Sequence, residues 1–343
     1  MEIARRKYKG NYKLIKLAKV DNRYYWDINI PGYPSIATKS YLEASISRIQ
    51  PDLIDKNKLS TVIWALTNKC HYNCIHCSEW NTKDSNDALS LNDLKKILNE
   101  VQKLGVSQIQ FSGGEPLNRI GDIMELLSSA RPSTDFWLLT SGCNFTSENA
   151  KLLKNAGLTG ISISLDHFDP DSHNKYRGSL DAYKWVEEAA LNAHREGLVI
   201  CLAICPTELF ISTQNLMNYA LLAKKLKASF IRIIEPVAIG HYENKKVELN
   251  KFQIKILEDF YLQMNYSAEY IDFPIVSYPG YYQRRIGCFG AGEGYLFIDQ
   301  EGDLHSCPFC RNSEKMNVVN TPFETQLRLL KERGCQRFKK SVY

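Results

Sequence analysis

Residues 61–77, TVIWALTNKCHYNCIHC, set a short β-branched and aromatic run directly against three cysteines. TVIWALT (61–67) has the composition of a buried strand, and the polar residues behind it predict a loop carrying Cys70, Cys74 and Cys77 in C-x3-C-x2-C spacing. Working outward, five similar runs follow: SQIQFS (107–112), TDFWLLT (134–140), GISISLD (160–166), LVICLAIC (198–205) and SFIRII (229–234). Apolar periodicity between them predicts helices over 91–104, 119–130, 146–156, 180–196, 213–227 and 250–263. Ser90 with Asp93 three residues later marks a helix start, and Gly157 and Gly197 stand where helices should stop. Six alternating units of this kind predict an α/β fold, a partial (β/α)6 barrel of the TIM type. A loop that follows a strand of such a barrel opens on its C-terminal face, where barrels build their sites.

Strand parity separates the two faces of each run. In GISISLD, Ile161, Ile163 and Leu165 should face the helices, which turns Ser162, Ser164 and Asp166 toward the lumen. In the fifth run Ile200, Leu202 and Ile204 face outward, leaving Cys201, Ala203 and Cys205 inside. Gln110, Ser112 and Arg232 also fall on inner faces. So polar a lumen is costly unless something satisfies it, and a bound ligand is the natural candidate.

The chain has 343 residues, more than a single core usually serves, so a barrel of about 60–275 is expected with an N-terminal extension (1–59) and a C-terminal module (276–343). No apolar run approaches the ~20 residues of a membrane-spanning helix, and the opening MEIARRKYKGNYK lacks the apolar stretch of a secretory signal. These features point to the cytoplasm. Ten cysteines there are unlikely to be a disulfide framework, which leaves metal or redox chemistry. The net charge of +5 is small, which disfavours a nucleic-acid partner. Arg5, Arg6, Lys7, Lys9, Lys13, Lys16 and Lys19 nevertheless concentrate positive charge at the start, as a solvated surface or as a dock for an acidic partner.

Three thiolates on a short loop can hold three irons of a 4Fe-4S cluster and leave the fourth iron open. The alternative is a Cys3His zinc site with His71 or His76 as the fourth ligand. SGGEP at Ser112–Pro116, ending the second strand, favours the cluster, because its glycines let backbone groups approach a zwitterion beside the first loop. With CHYNCIHC, SGGEP and the βα units, roughly residues 60–240 resemble the radical S-adenosylmethionine (SAM) superfamily. The resemblance implies that Cys70, Cys74 and Cys77 bind the cluster, with the methionine amino and carboxylate groups on its open iron. It also implies that Gly113, Gly114 and Glu115 hold the amino group, that Ser164 and Asp166 lie near the methionine or ribose, and that Arg177 in HNKYRG lies near the carboxylate. On that basis the loss of Asp166 should harm SAM binding more than folding. His76 stands where many members carry an aromatic residue, as is frequent in the auxiliary-cluster branch. TSG at Thr140–Gly142 stands where Asn often replaces the Ser, and carries no inference.

From about residue 276 the composition turns to Gly, Cys and aromatics, with Cys288, Cys307, Cys310 and Cys335 as a second set of four. Four cysteines close either a cluster or a structural zinc site. The tail is similar to the SPASM and twitch domains of the same superfamily, and its count matches the shorter, single-cluster twitch form. Cys143, Cys201 and Cys205 are expected to be buried small residues, with Cys201 or Cys205 as a hydrogen-atom donor in the sharper reading.

The resemblance implies two 4Fe-4S clusters, SAM, and an external one-electron donor such as flavodoxin or ferredoxin. The resulting 5'-deoxyadenosyl radical would take hydrogen from a substrate, first of all a ribosomally made peptide undergoing modification. The alternatives are a dehydrogenase or cofactor-building enzyme acting on a small molecule, and a noncatalytic zinc-binding module.

Overall fold

The computed structural model describes residues 15–50, 52, 59–84, 86–311, 313–335 and 337–338. Of the N-terminal basic run, Arg5, Arg6, Lys7, Lys9 and Lys13 lie outside these residues.

The six β-branched runs form strands β3 (Thr61–Thr67), β4 (Gln108–Gly113), β5 (Asp135–Thr140), β6 (Leu158–Ser164), β7 (Val199–Ile204) and β8 (Phe230–Ile233). Each neighbouring pair is parallel. Parallel pairing requires crossovers, and these are supplied by α2 (Leu91–Lys103), α3 (Ile120–Ser129), α4 (Ser147–Ala156), α6 (Ala182–Arg195) and α7 (Thr213–Lys225), with α8 (Lys251–Tyr266) after β8. Ser90 and Asp93 form a reciprocal capping box on α2, and Gly157 ends α4 in the left-handed region.

Two segments outside the six units frame the barrel at its ends. Strands β1 (Ala18–Val20) and β2 (Arg23–Tyr25) form an antiparallel hairpin, followed by helix α1 (Ile36–Ile49). In the tail, β9 (Ile275–Ser277) adds a parallel strand beyond β8, while β10 (Tyr295–Ile298) runs parallel to β3 and carries β11 (Leu304–His305) antiparallel to it. The nine-stranded sheet therefore continues through the boundary expected at 275/276. Helices α5 (Pro170–Arg177), α9 (Pro279–Ile286) and α10 (Phe323–Arg333) complete the chain.

Parity holds along the sheet. Val62, Trp64, Leu66, Phe111, Leu138, Ile161, Ile163, Ile200, Leu202 and Ile231 pack outward with Leu94, Ile97, Leu126, Val186 and Ala189 of the helices in one core. Each large side chain buried there contributes roughly 1.5–3 kcal/mol. The luminal set is divided by height. At the N-terminal end Trp137, Val199, Cys201, Phe230 and Ile275 pack against Tyr25 and Ile28, so the N-terminal segment plugs the barrel. Gln108 Nε2 donates to Ile28 O (2.9 Å), Arg23 pairs with Asp135 (3.0 Å), and the buried Lys16 Nζ donates to Met264 O, Tyr270 O and Pro274 O. At the C-terminal end the lumen is open. Ser112, Leu139, Ser164, Ala203 and Arg232 are partly exposed on strands that are otherwise almost wholly buried.

Candidate active site

The cysteine loop leaves β3 at the open end and is held by its neighbours' backbones. Asn73 N–H donates to Arg177 O (3.2 Å) and Ile75 N–H to Tyr176 O (3.1 Å), which binds the loop to the end of α5. On the other side His241 N–H donates to Cys77 O (2.9 Å), His241 Nδ1–H donates to Cys74 O (2.8 Å), and the His241 ring stacks on Trp80 at 4.0 Å. Cys70, Cys74 and Cys77 share one patch with Tyr72, Cys143, Ala182 and Trp185.

The Gly113–Glu115 turn presses on the start of this loop. Gly114 N–H donates to Thr67 O (2.7 Å) and Glu115 N–H to Lys69 O (2.9 Å). A Cβ on Gly113, which has φ of +125°, would overlap Thr67 O, and one on Gly114 would overlap Lys69 O. Both glycines are needed for this approach, whatever they contact in a ligand. The Glu115 carboxylate is buried and accepts from Thr140 Oγ1 (2.7 Å), Ser141 N–H (2.9 Å) and Ser141 Oγ. Burial raises the Glu115 pKa, while these donors favour its charge. Thr140 and Ser141 thus acquire a role that the TSG stretch did not disclose.

Asp166 and Arg177 come together. Arg177 Nη2 lies 2.6 Å from Asp166 Oδ2 as an ion pair without a well-aligned N–H, and Arg177 Nη1 donates to Cys74 Sγ (3.6 Å). Burial opposes the Arg177 charge, but Asp166 and Cys74 more than offset it and raise its pKa. Burial likewise disfavours the Asp166 carboxylate, yet Arg177 holds its pKa below the usual range. Asp166 Oδ1 also accepts from Cys205 N–H (3.1 Å), and Asp166 N–H donates to His173 Nδ1 (3.1 Å). His76, pushed down to about 4 by burial, lies neutral 3.8 Å from Asp166 and packs on the Tyr176 ring. Asp166 and Arg177 therefore offset each other's charge first.

Ser164 sits partly exposed at the mouth, and Cys205 lies just above it beside Asp166. Cys201 is placed apart: it is wholly buried in the plugged half, with its thiol pushed up to about 12 by burial.

The tail gathers its four cysteines. The Cys307 and Cys310 thiols, those of Cys310 and Cys335, and those of Cys335 and Cys288 lie near enough to shift one another's titration. Cys288 Sγ further accepts from Gly290 N–H (3.3 Å) and Cys335 Sγ from Phe338 N–H (3.4 Å). Glu79 and Arg311, two residues beyond Cys77 and one beyond Cys310, form an ion pair that ties the two cysteine loops together. Among the described residues no three His, Cys, Asp or Glu side chains converge as closely as a single metal ion requires. Four thiols are a donor set that a multi-iron cluster could take, one to each iron.

The family model of the radical SAM superfamily matches residues 64–207, from β3 to just past β7. Residues 64–207 are a radical SAM domain. Among relatives by sequence, a probable GTP 3',8-cyclase of Methanocella arvoryzae is 34% identical over 33% of this chain and 36% of its own length. An AdoMet-dependent heme synthase of Methanosarcina barkeri is 26% identical over 72% of this chain and 76% of its own. The chain spans little more than a third of the first curated relatives it matches, 36% and 37% of their lengths. Among solved structures, SuiB of Streptococcus suis bound to its precursor peptide SuiA shares the fold, with a TM-score of 0.61 and 14% identity, over 88% of this chain and 70% of that one. The radical SAM domain thus holds the cysteine loop, the glycine turn, Ser164, Asp166, Arg177 and Cys205. Among the described residues no helix is long and apolar enough to cross a membrane.

Proposed function

We propose that this protein is a radical SAM enzyme with an auxiliary cluster of the twitch type, acting on a substrate that enters the open end of the barrel. The observation that carries the reading is the Cys70–Cys77 loop at the open end of the barrel, pressed by the Gly113–Glu115 turn on one side and bonded to Tyr176 and Arg177 on the other. When bound, a 4Fe-4S cluster supplies the electron that cleaves SAM to methionine and a 5'-deoxyadenosyl radical. Around it Cys70, Cys74 and Cys77 are the ligands; burial raises the Cys74 thiol pKa, and Arg177, which donates to Cys74 Sγ, opposes that rise. The plug formed by Tyr25 and Ile28 shuts the far end of the lumen and limits water there. Cys288, Cys307, Cys310 and Cys335 are the ligands of the auxiliary cluster. A flavodoxin- or ferredoxin-like protein in an anaerobic cytosol is the electron source this chemistry calls for.

Small-molecule chemistry is the first reading of the substrate, since the relatives by sequence are named for a nucleotide and for heme. A ribosomally made peptide is the second, favoured by the likeness in fold to SuiB with its precursor peptide. The test is anaerobic reconstitution and reduction, with mass spectrometry of the small molecules formed. 5'-Deoxyadenosine and about eight irons per chain are expected. A protein that takes up stoichiometric zinc and releases no 5'-deoxyadenosine would overturn the reading.

A further inference from the structure

Arg232 is the third residue of β8 and stands on its luminal face. Register places Ser164 of β6, Ala203 of β7, Arg232 and Ser277 of β9 side by side in one layer, and the first three are partly exposed at the mouth. Arg232 Nη1 donates to Gln110 Oε1 (3.2 Å). Gln110 in turn donates through Nε2 to Gln108 Oε1 (2.8 Å) and Asn29 Oδ1 (3.4 Å), so a chain of neutral amides fixes the guanidinium from below. Among the described residues no carboxylate lies within ion-pair distance of Arg232, and its Nε–H is buried without a hydrogen-bond partner. The mouth's buried Arg177, by contrast, is paired with Asp166. Asp27 acts on the same Cys201 thiol as Arg232 and accepts from Asn29 at Oδ1, so a carboxylate stands in the same region but outside ion-pair distance of Arg232.

A guanidinium oriented by neutral amides presents a charge that nothing bonded to it offsets, whereas one paired with a carboxylate has its field largely cancelled. Leaving a buried donor unpaired is costly, and a planar fork of donors suits the paired oxygens of a carboxylate or phosphate. We propose that Arg232 is the anion-binding residue of the substrate site, and that the substrate presents a carboxylate or phosphate to it in the layer that also holds Ser164. This rests on the radical SAM reading for its setting and narrows the substrate to an anionic one.

Two sources of that anion are separable by calorimetry on the reconstituted protein, with glutarate and inorganic phosphate as probes and SAM titrated on its own. Wild-type protein should bind at least one probe. Arg232→Gln should weaken it at least tenfold, and Arg232→Lys, which keeps a charge but not the fork, should lose less. Gln110→Glu leaves Arg232 in place and neutralises it, so it should also weaken the probe. That variant keeps the test decisive if Arg232→Gln fails to fold. Binding of neither probe by wild type, or undiminished binding in Arg232→Gln and Gln110→Glu, overturns the proposal. So does a tenfold loss of SAM affinity with the probes unaffected, which would assign the cation to the methionine carboxylate. These titrations need no 5'-deoxyadenosine, so their failure is distinct from a failure of the radical reading.

Discussion

His173 accepts a hydrogen bond from Asp166 N–H at Nδ1, which only the neutral ring can do, and burial followed by the Arg177 charge pushes its pKa down to about 3. In the unfolded chain the ring titrates near 6.5. As pH falls below that value the unfolded state takes up a proton that the folded state refuses until about pH 3, so stability declines across this window. Urea unfolding of the apo protein at pH 7 and pH 5 should show wild type losing about 2 kcal/mol more than His173→Gln. An equal loss in both proteins would mean that the ring is charged when folded. Asp166 teaches a related lesson. Parity correctly turned it toward the lumen, but the sequence did not disclose that Arg177, eleven residues on, would return from α5 to pair with it. The ion pair moves the expected cost of losing Asp166 from ligand binding to folding. Asp166→Asn should destabilise the apo protein by about 3–5 kcal/mol, since it strands a buried guanidinium, and replacing both partners by apolar residues should cost less. Apo stability in Asp166→Asn within about 0.5 kcal/mol of wild type would return Asp166 to a role in ligand binding.

At the scale of elements, the turn between β4 and α3 shows how chain geometry and chemistry constrain the same residues. Gly113→Ala and Gly114→Ala should each lower both the melting temperature and the iron retained on the Cys70–Cys77 loop, because an added Cβ overlaps Thr67 O or Lys69 O. Gly121→Ala in α3, where a Cβ meets nothing within 4 Å, is the control and should be neutral or slightly stabilising. Normal iron content in the first two variants would detach the turn from the loop. The six strands and their helices were legible because each buries one face over several residues, and β-branched alternation records that directly. Helix α5 was not read, although Asp169 caps it, Pro170 opens it and Gly178 closes it, because eight mostly polar residues leave little periodicity to see. Strand β9, of three residues, is too short for alternation to register. The Glu79–Arg311 pair was invisible for another reason: its partners stand 232 residues apart.

The whole molecule depends on contacts between its ends that local sequence does not encode. The N-terminal segment was legible only as an extension of 1–59, yet Tyr25 and Ile28 fill the N-terminal end of the lumen against Trp137, Cys201 and Phe230, and Asn29 holds Gln110 beneath Arg232. The tail was legible as a four-cysteine module, but not as the layer that flanks β3. Since Tyr295–Ile298 of β10 pairs with Thr61–Trp64, damage to the tail can reach the strand that carries Cys70, and Glu79–Arg311 offers a second route. That coupling decides how the two cysteine sets must be separated. Cys307 and Cys310 lie beyond β11, outside the β10–β3 ladder, so replacing both by Ala removes two thiols while the pairing that supports β3 remains. The double variant should stay soluble, retain about four irons after reconstitution, and still form 5'-deoxyadenosine on reduction, while modified substrate disappears. The analogous change of Cys70, Cys74 and Cys77 should do the reverse, abolishing 5'-deoxyadenosine while about four irons remain in the tail. Mass spectrometry of nucleoside and substrate, with iron analysis of the same samples, reads both variants together. If Cys307→Ala with Cys310→Ala still yields product, the tail acts by holding β3 and the cysteine loop in place, and its thiols have no part in the chemistry.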